Sequence, residues 1–109
     1  MVARRIVWSA SAKLQLKAIF EYFNFRNKSK LYSLKLNSLI QIGYKILLQQ
    51  PNIGKKTDSI NVRGLLIENY YVFYEINETH IIILSVWDTR QDPKRLKTKQ
   101  RNSILYPAP

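Results

Sequence analysis

Residues 60–86 read INVRGLLI-EN-YYVFYEI-NETH-IIILSV, and this stretch decides the fold. Three runs, Ile60–Ile67, Tyr70–Ile76 and Ile81–Val86, are dense in the β-branched and aromatic residues that suit a pleated, half-buried surface. Glu68-Asn69 and Asn77-Glu78-Thr79 part them as tight turns, which predicts a three-stranded antiparallel meander. Ile81-Ile82-Ile83-Leu84 is apolar on both faces, which predicts a central strand covered on both sides.

Outward toward the N-terminus, Pro51 and Gly54 stop a helical segment that runs from about Ser29 to Gln50. Leu36, Leu39, Ile40, Gly43, Ile46 and Leu47 mark one face. Leu31, Leu34 and Ile42 widen it, which predicts contact on two sides, against an earlier helix and against a sheet. Gly43 costs about 1 kcal/mol against Ala in a helix interior, and a close approach of the earlier helix accounts for it. That earlier helix starts behind Ser9 and Ser11, whose hydroxyls offer N-caps. It carries Ala12, Leu16, Ile19, Phe20 and Phe23 on one stripe and fades over residues 24–28, where Asn27 tolerates a turn. The short link predicts an antiparallel helical hairpin. Ahead of it, Arg4-Arg5-Ile6-Val7-Trp8 reads as a strand, expected at one edge of the sheet. The prediction is an α+β fold: N-terminal strand, α-helical hairpin, three-stranded antiparallel meander and a short basic C-terminal tail. Residues 1–96 are expected to form a single domain and 97–109 the tail, its last residues mobile.

The charge balance narrows the partners. Lys and Arg number 18 against 7 Asp and Glu, a net charge of +11 with a pI near 10.1. Such a surface suits a polyanion: nucleic acid, a ribosome, an anionic membrane or an acidic protein segment. Lys55, Lys56, Lys94, Arg95, Lys97, Lys99 and Arg101 are placed to track such a partner, or to form a solvated basic tail. With no cysteine there is no disulfide, thiolate metal site or cysteine nucleophile. A single histidine, His80, cannot build a multi-histidine metal site, so no metal and no cofactor are expected. No charged leader with an apolar stretch opens the sequence, and no apolar run approaches the roughly 20 residues that span a bilayer. A cytoplasmic protein without membrane association is the expectation.

The order of elements and four local pieces resemble the RelE/ParE superfamily of toxins from bacterial type II toxin–antitoxin systems. Ile6-Val7-Trp8-Ser9 before an amphipathic helix is similar to that family's opening. Leu48-Gln49-Gln50-Pro51-Asn52-Ile53-Gly54 resembles its helix end, and Tyr70–Ile76 its central strand. Ile83–Pro93 resembles its last strand and the arginine beyond. The resemblance implies a growth-inhibiting toxin, neutralised by a cognate acidic antitoxin. Its target is then either DNA gyrase, bound in the ParE manner, or messenger RNA, cut on the ribosome in the RelE manner without metal.

Metal-free RNA cleavage needs a base for the 2′-hydroxyl, an acid for the 5′-oxygen and cations on the phosphorane. Arginine forks suit the last task. Arg90 matches the phosphate-binding arginine of RelE-like nucleases. Their Tyr-Arg pair in the central strand is Tyr70-Tyr71 here, and a tyrosine that some carry beyond the arginine corresponds to Leu96. A substitute set can be drawn from Arg63, Arg90 and Tyr71, with Lys55 and Lys56 beside them. Arg63 is expected on the uncovered sheet face, either binding phosphate or paired with Glu68 or Glu75. Arg90 either binds phosphate or pairs with Asp88 or Asp92 as a clamp. Tyr70, Tyr71, Phe73 and Tyr74 either stack on bases or fill the core, the latter favoured. The gaps favour the ParE-like reading over the RelE-like one.

Overall fold

The computed structural model describes residues 4–90. Lys94, Arg95, Leu96 and the tail of residues 97–109 lie outside the described residues. The elements run β1 (Arg5–Trp8), α1 (Ala10–Asn27), α2 (Leu31–Gln49), β2 (Lys55–Lys56), β3 (Val62–Ile67), β4 (Tyr70–Ile76) and β5 (His80–Asp88). They build one five-stranded sheet in the order β1-β5-β4-β3-β2. The meander β3-β4-β5 is antiparallel as predicted, and β1 closes one edge by pairing parallel to β5. The short β2 on the other edge was not legible in the sequence, because Lys55-Lys56 carries no strand pattern of its own. It pairs with Arg63 and Gly64 of β3.

The hairpin covers one face of the sheet. Ala12 of α1 and Leu47 of α2 pack on Val72, Tyr74, Ile81 and Ile83. Leu36 and Ile40 of α2 pack on Tyr70 and Val86, with Leu16, Ile19, Phe20 and Phe23 of α1 alongside. Phe73 and Trp87 alternate to the opposite face and bury against Tyr71 and Leu84. Between the helices, the Ser33 hydroxyl donates to Asn24 Oδ1 at 2.7 Å and is 3.3 Å from the Phe20 carbonyl.

Ser9 caps α1. Its Oγ accepts from the Ala12 amide at 3.0 Å, and its extended backbone turns the chain out of β1. The helix ends at Lys28, in the left-handed region at φ 50°, one residue beyond the asparagine expected to turn. The nine-residue β5 outruns the four-residue β1, whose register covers only His80–Ile83. Past that point α1 meets the outer edge of β5. Ser9 N–H donates to the Ile83 carbonyl (2.9 Å) and Ser9 Oγ to the Leu84 carbonyl (3.1 Å). Gln15 Oε1 accepts from the Val86 amide (2.8 Å) and the Ser85 hydroxyl (3.2 Å). The same segment carries a register shift against β4 at Phe73/Tyr74, so a helix-borne side chain replaces a neighbouring strand where the ladder is irregular.

Two sequence expectations about α2 are corrected. Gly43 is not a contact with the first helix: a Cβ there would come within 2.9 Å of Ile67 Cδ1 and 3.6 Å of Leu65 Cδ2, both on β3. The sheet, not α1, sets that requirement. Leu31, Leu34 and Ile42 do not join the buried face but are exposed. The pattern was apolar because of an outer stripe, not because the core wraps further round the helix.

Gln15→Leu keeps the volume and deletes the acceptor beneath Val86 and Ser85. It is expected to cost about 1–3 kcal/mol of unfolding free energy, because a buried amide loses its partner. The exposed Gln41→Leu should lie within about 0.5 kcal/mol of the parent. Urea unfolding of the two variants side by side checks this.

Candidate target-binding site

Arg63 lies opposite Tyr74 in the β3–β4 register. Tyr74 belongs to the core beneath the helices, so alternation puts Arg63 on the helix-covered face. This corrects the expectation that it occupies the uncovered face. It also pairs with neither Glu68 nor Glu75. Its Nη1 donates to the Gly54 carbonyl at 2.8 Å, and Glu68 stands 3.9 Å from Lys35 instead. Tyr74 completes the arrangement: its hydroxyl donates to the Pro51 carbonyl (2.8 Å) and accepts from the Gly54 amide (2.9 Å). Burial pushes the Tyr74 hydroxyl pKa upward, against the Gly54 bond and the Arg63 charge, so it stays a protonated donor at neutral pH. Together Arg63 and Tyr74 fasten the loop that ends α2 to the sheet.

Gly54 has no alternative here. A Cβ would fall 2.5 Å from Tyr74 Oη and 3.0 Å from the Gly64 carbonyl. The sequence marks Pro51 and Gly54 as a helix stop, but not the tyrosine hydroxyl that reads both. The signal was a tyrosine inside an apolar strand, whose buried O–H must find a partner.

Lys55 and Lys56 follow directly on the edge strand, both exposed. Near Lys56 and Arg63 a groove of about 700 Å³ opens, with Arg4 contributing a third cation and Asp58, Glu75 and Glu78 carrying acids. Its charge is mixed, so it is no simple phosphate cradle.

Arg90 lies at the other end of the sheet. Its Nε and Nη2 grip Asp88 Oδ1 and Oδ2 at 2.9 and 2.8 Å, and its backbone amide donates to Oδ1 at 2.8 Å. Of the two sequence readings of Arg90, the geometry is that of the clamp. The Arg90 guanidinium holds the Asp88 carboxyl below the usual carboxylate range. Thr89 adds two bonds to the Asn69 carbonyl, from N–H at 2.8 Å and from Oγ1 at 3.0 Å. Beside the clamp lies Tyr70, whose hydroxyl is pushed up to about 12 by burial and by Tyr32 and Asp88, against Arg90. It is a donor at neutral pH, the opposite of what a general base requires.

The substitute nuclease set does not converge. Tyr71 lies on the face opposite Arg63, stacked on Phe73 at a centroid distance of 5.9 Å. Arg63 sits opposite Tyr74 and Asp88 opposite Tyr70. Four residues along the strand, roughly 13 Å, and two strand spacings across the sheet, about 10 Å, therefore separate Arg63 from the clamp. Tyr70, Phe73 and Tyr74 are buried and present no ring for base stacking. His80 belongs to the Asn77–Thr79 turn, with Nδ1 2.7 Å from Thr79 Oγ1. Among the described residues no His, Asp and Glu cluster is placed to hold a metal.

The chain belongs to the ParE toxin family of type II toxin–antitoxin systems (parDE), whose sequence model matches residues 6–93. Among solved structures, the chromosomal ParDE toxin–antitoxin system from P. aeruginosa is similar, with a TM-score of 0.69 and 22% identity. That match covers 81% of this chain and 98% of the other, and at this identity it shows the shared fold. No curated protein matches the chain.

Gly54→Ala should destabilise the protein by about 1–3 kcal/mol, the range for overpacking a filled site. Tyr74→Phe should cost about 1–2 kcal/mol through the stranded Pro51 and Gly54 groups. Because both act on one bond, the double variant should cost less than the sum by at least about 0.5 kcal/mol. Additive losses in thermal unfolding would deny the coupling. Acid should release the other clamp: with the Asp88 pKa lowered on folding, its stabilisation holds above the ordinary carboxylate range and fades as pH falls through the lowered value. Asp88→Asn should flatten that part of the pH profile.

Proposed function

We propose that the chain arrests growth by binding DNA gyrase, as its family typically does, and not by cutting messenger RNA. The carrying observation is the dispersal of Arg63, Arg90 and Tyr71. One is hydrogen-bonded to Gly54 on the helix side, one is held by Asp88, and one lies on the far face. In-line attack by a 2′-hydroxyl needs base, acid and cations within hydrogen-bond reach of one phosphate. A protein that works by binding needs no such convergence. Membership of the ParE family supports the same reading.

On this reading the contacts to the target come from exposed cations, Lys55 and Lys56 on the edge strand and Arg90 at the other end, with Arg63 supporting the Lys56 edge from within; Lys94 and Arg95, which follow Arg90 in the sequence, are proposed to join them. The resting partner is a cognate acidic antitoxin, drawn by the +11 charge. The toxin acts in the cytoplasm and requires no cofactor. Among the described residues no helix is long and apolar enough to cross a membrane.

The test is induction of the chain without its antitoxin in growing bacteria. Within minutes, primer extension on a translated reporter should show intact messenger while plasmid supercoiling falls. Purified toxin should inhibit supercoiling by gyrase in vitro. New translation-dependent 5′ ends inside the coding region, with supercoiling unchanged, would replace this reading with ribosome-dependent cleavage.

A further inference from the structure

The helix α1 is apolar on two sides, and only one is used. Ala12, Leu16, Ile19, Phe20 and Phe23 face the sheet and α2. Leu14, Ala18, Tyr22 and Phe25 recur at steps of four, four and three, which places them along one outer stripe of about three turns. Leu14 is 68% exposed and Phe25 86%. On α2, just past the hairpin tip, Leu31 is 75% exposed and Leu34 60%. An apolar stripe left exposed on a helix marks a place where something docks.

We infer that this outer stripe seats an acidic amphipathic helix of the antitoxin. The step pattern is that of a helix–helix seam, with the small Ala18 at its middle admitting a neighbouring helix closely. Charge selects the occupant. Lys17 borders the stripe on one side and Arg26 on the other, with Lys28 at its end, against the single acid Glu21. A second copy of the chain would set these cations, and two net charges of +11, against one another. An acidic helix of about twelve residues matches both the length and the sign. The other apolar cluster, around Phe73 and Trp87, is already buried, so it offers less new area than the stripe does. This inference rests on the antitoxin partnership of the family and not on the identity of the target.

The measurement uses the full chain and its separately purified cognate antitoxin. Phe25→Ser and the double variant Leu14→Ser/Phe25→Ser alter exposed side chains, so their melting temperatures should stay close to the parent's. Each lost anchor should weaken antitoxin binding roughly ten- to hundredfold, as expected for one apolar side chain no longer buried. Added salt should weaken the parent complex, and Lys17→Gln/Arg26→Gln should reduce that salt dependence. In cells, the double variant should arrest growth as the parent does but escape rescue by co-expressed antitoxin. Unchanged affinity and full rescue would overturn the inference. So would lost growth arrest with antitoxin affinity intact, which would give the stripe to the target. Parent binding to anionic vesicles that disappears in the variants, with antitoxin binding unchanged, would give it to a lipid surface. Failure of the gyrase assay leaves each of these readings intact, because none measures gyrase.

Discussion

The fold depends on how the outer edge of β5 is finished. The strand needs a neighbour for its whole length, and β1 supplies one for less than half of it. The remaining polar groups cannot be left bare beneath a helix, since an unpaired buried amide or carbonyl costs about as much as a lost hydrogen bond. Ser9 and Gln15 meet them, and in doing so set where α1 begins and how it lies on the sheet. Once α1 is fixed, Ser33 and the Phe23–Tyr32 contact, with ring centroids 4.3 Å apart, fix α2 against it. The end of α2 is then fastened from the sheet by Tyr74 and Arg63. Local capping, sheet irregularity and helix packing are thus one connected set of hydrogen bonds.

Much of this architecture is legible from residue types alone. The period-two runs at Val62–Ile67, Tyr70–Ile76 and the apolar core of β5 announce the meander, and Pro51 with Gly54 announces the helix end. What period and propensity do not carry is facing. Arg63 sits in an apolar strand, and the sequence does not say which side of the sheet its parity selects; the register with Tyr74 settles it. Gly43 announces a close approach but not the approaching element, which proves to be β3. Leu31, Leu34 and Ile42 read as core because hydropathy does not distinguish a buried stripe from an unpartnered one. The candidate site is less legible than the fold, because convergence is a property of three dimensions. Arg63, Tyr71 and Arg90 share the right chemistry on paper and are dispersed by the sheet.

That dispersal separates two uses of cationic side chains on one scaffold. Catalysis requires a few cations focused on one atom, held rigidly, with an acid and base beside them. Recognition of an acidic surface tolerates cations spread over the molecule, each contributing through long-range attraction and contact. Here two arginines are engaged in holding the fold together: the half-buried Arg63 on a carbonyl and the exposed Arg90 on a carboxylate. The lysines on edges and helices remain outward. The charge of this protein is best understood as a field with several local fastenings in it.

The pairing of β1 with β5 also orders events in time. Arg5 lies beside His80, and Ser9 bonds to Leu84, so the first strand waits for partners more than seventy residues further along the chain. Contacts so distant in sequence form late, because the loop between them must close before they return any stability. During synthesis the hairpin helices emerge early, with both their apolar stripes uncovered, and the sheet cannot close until the last strand has appeared. The outer stripe of α1 is therefore presented to the surroundings before the toxin has a finished fold.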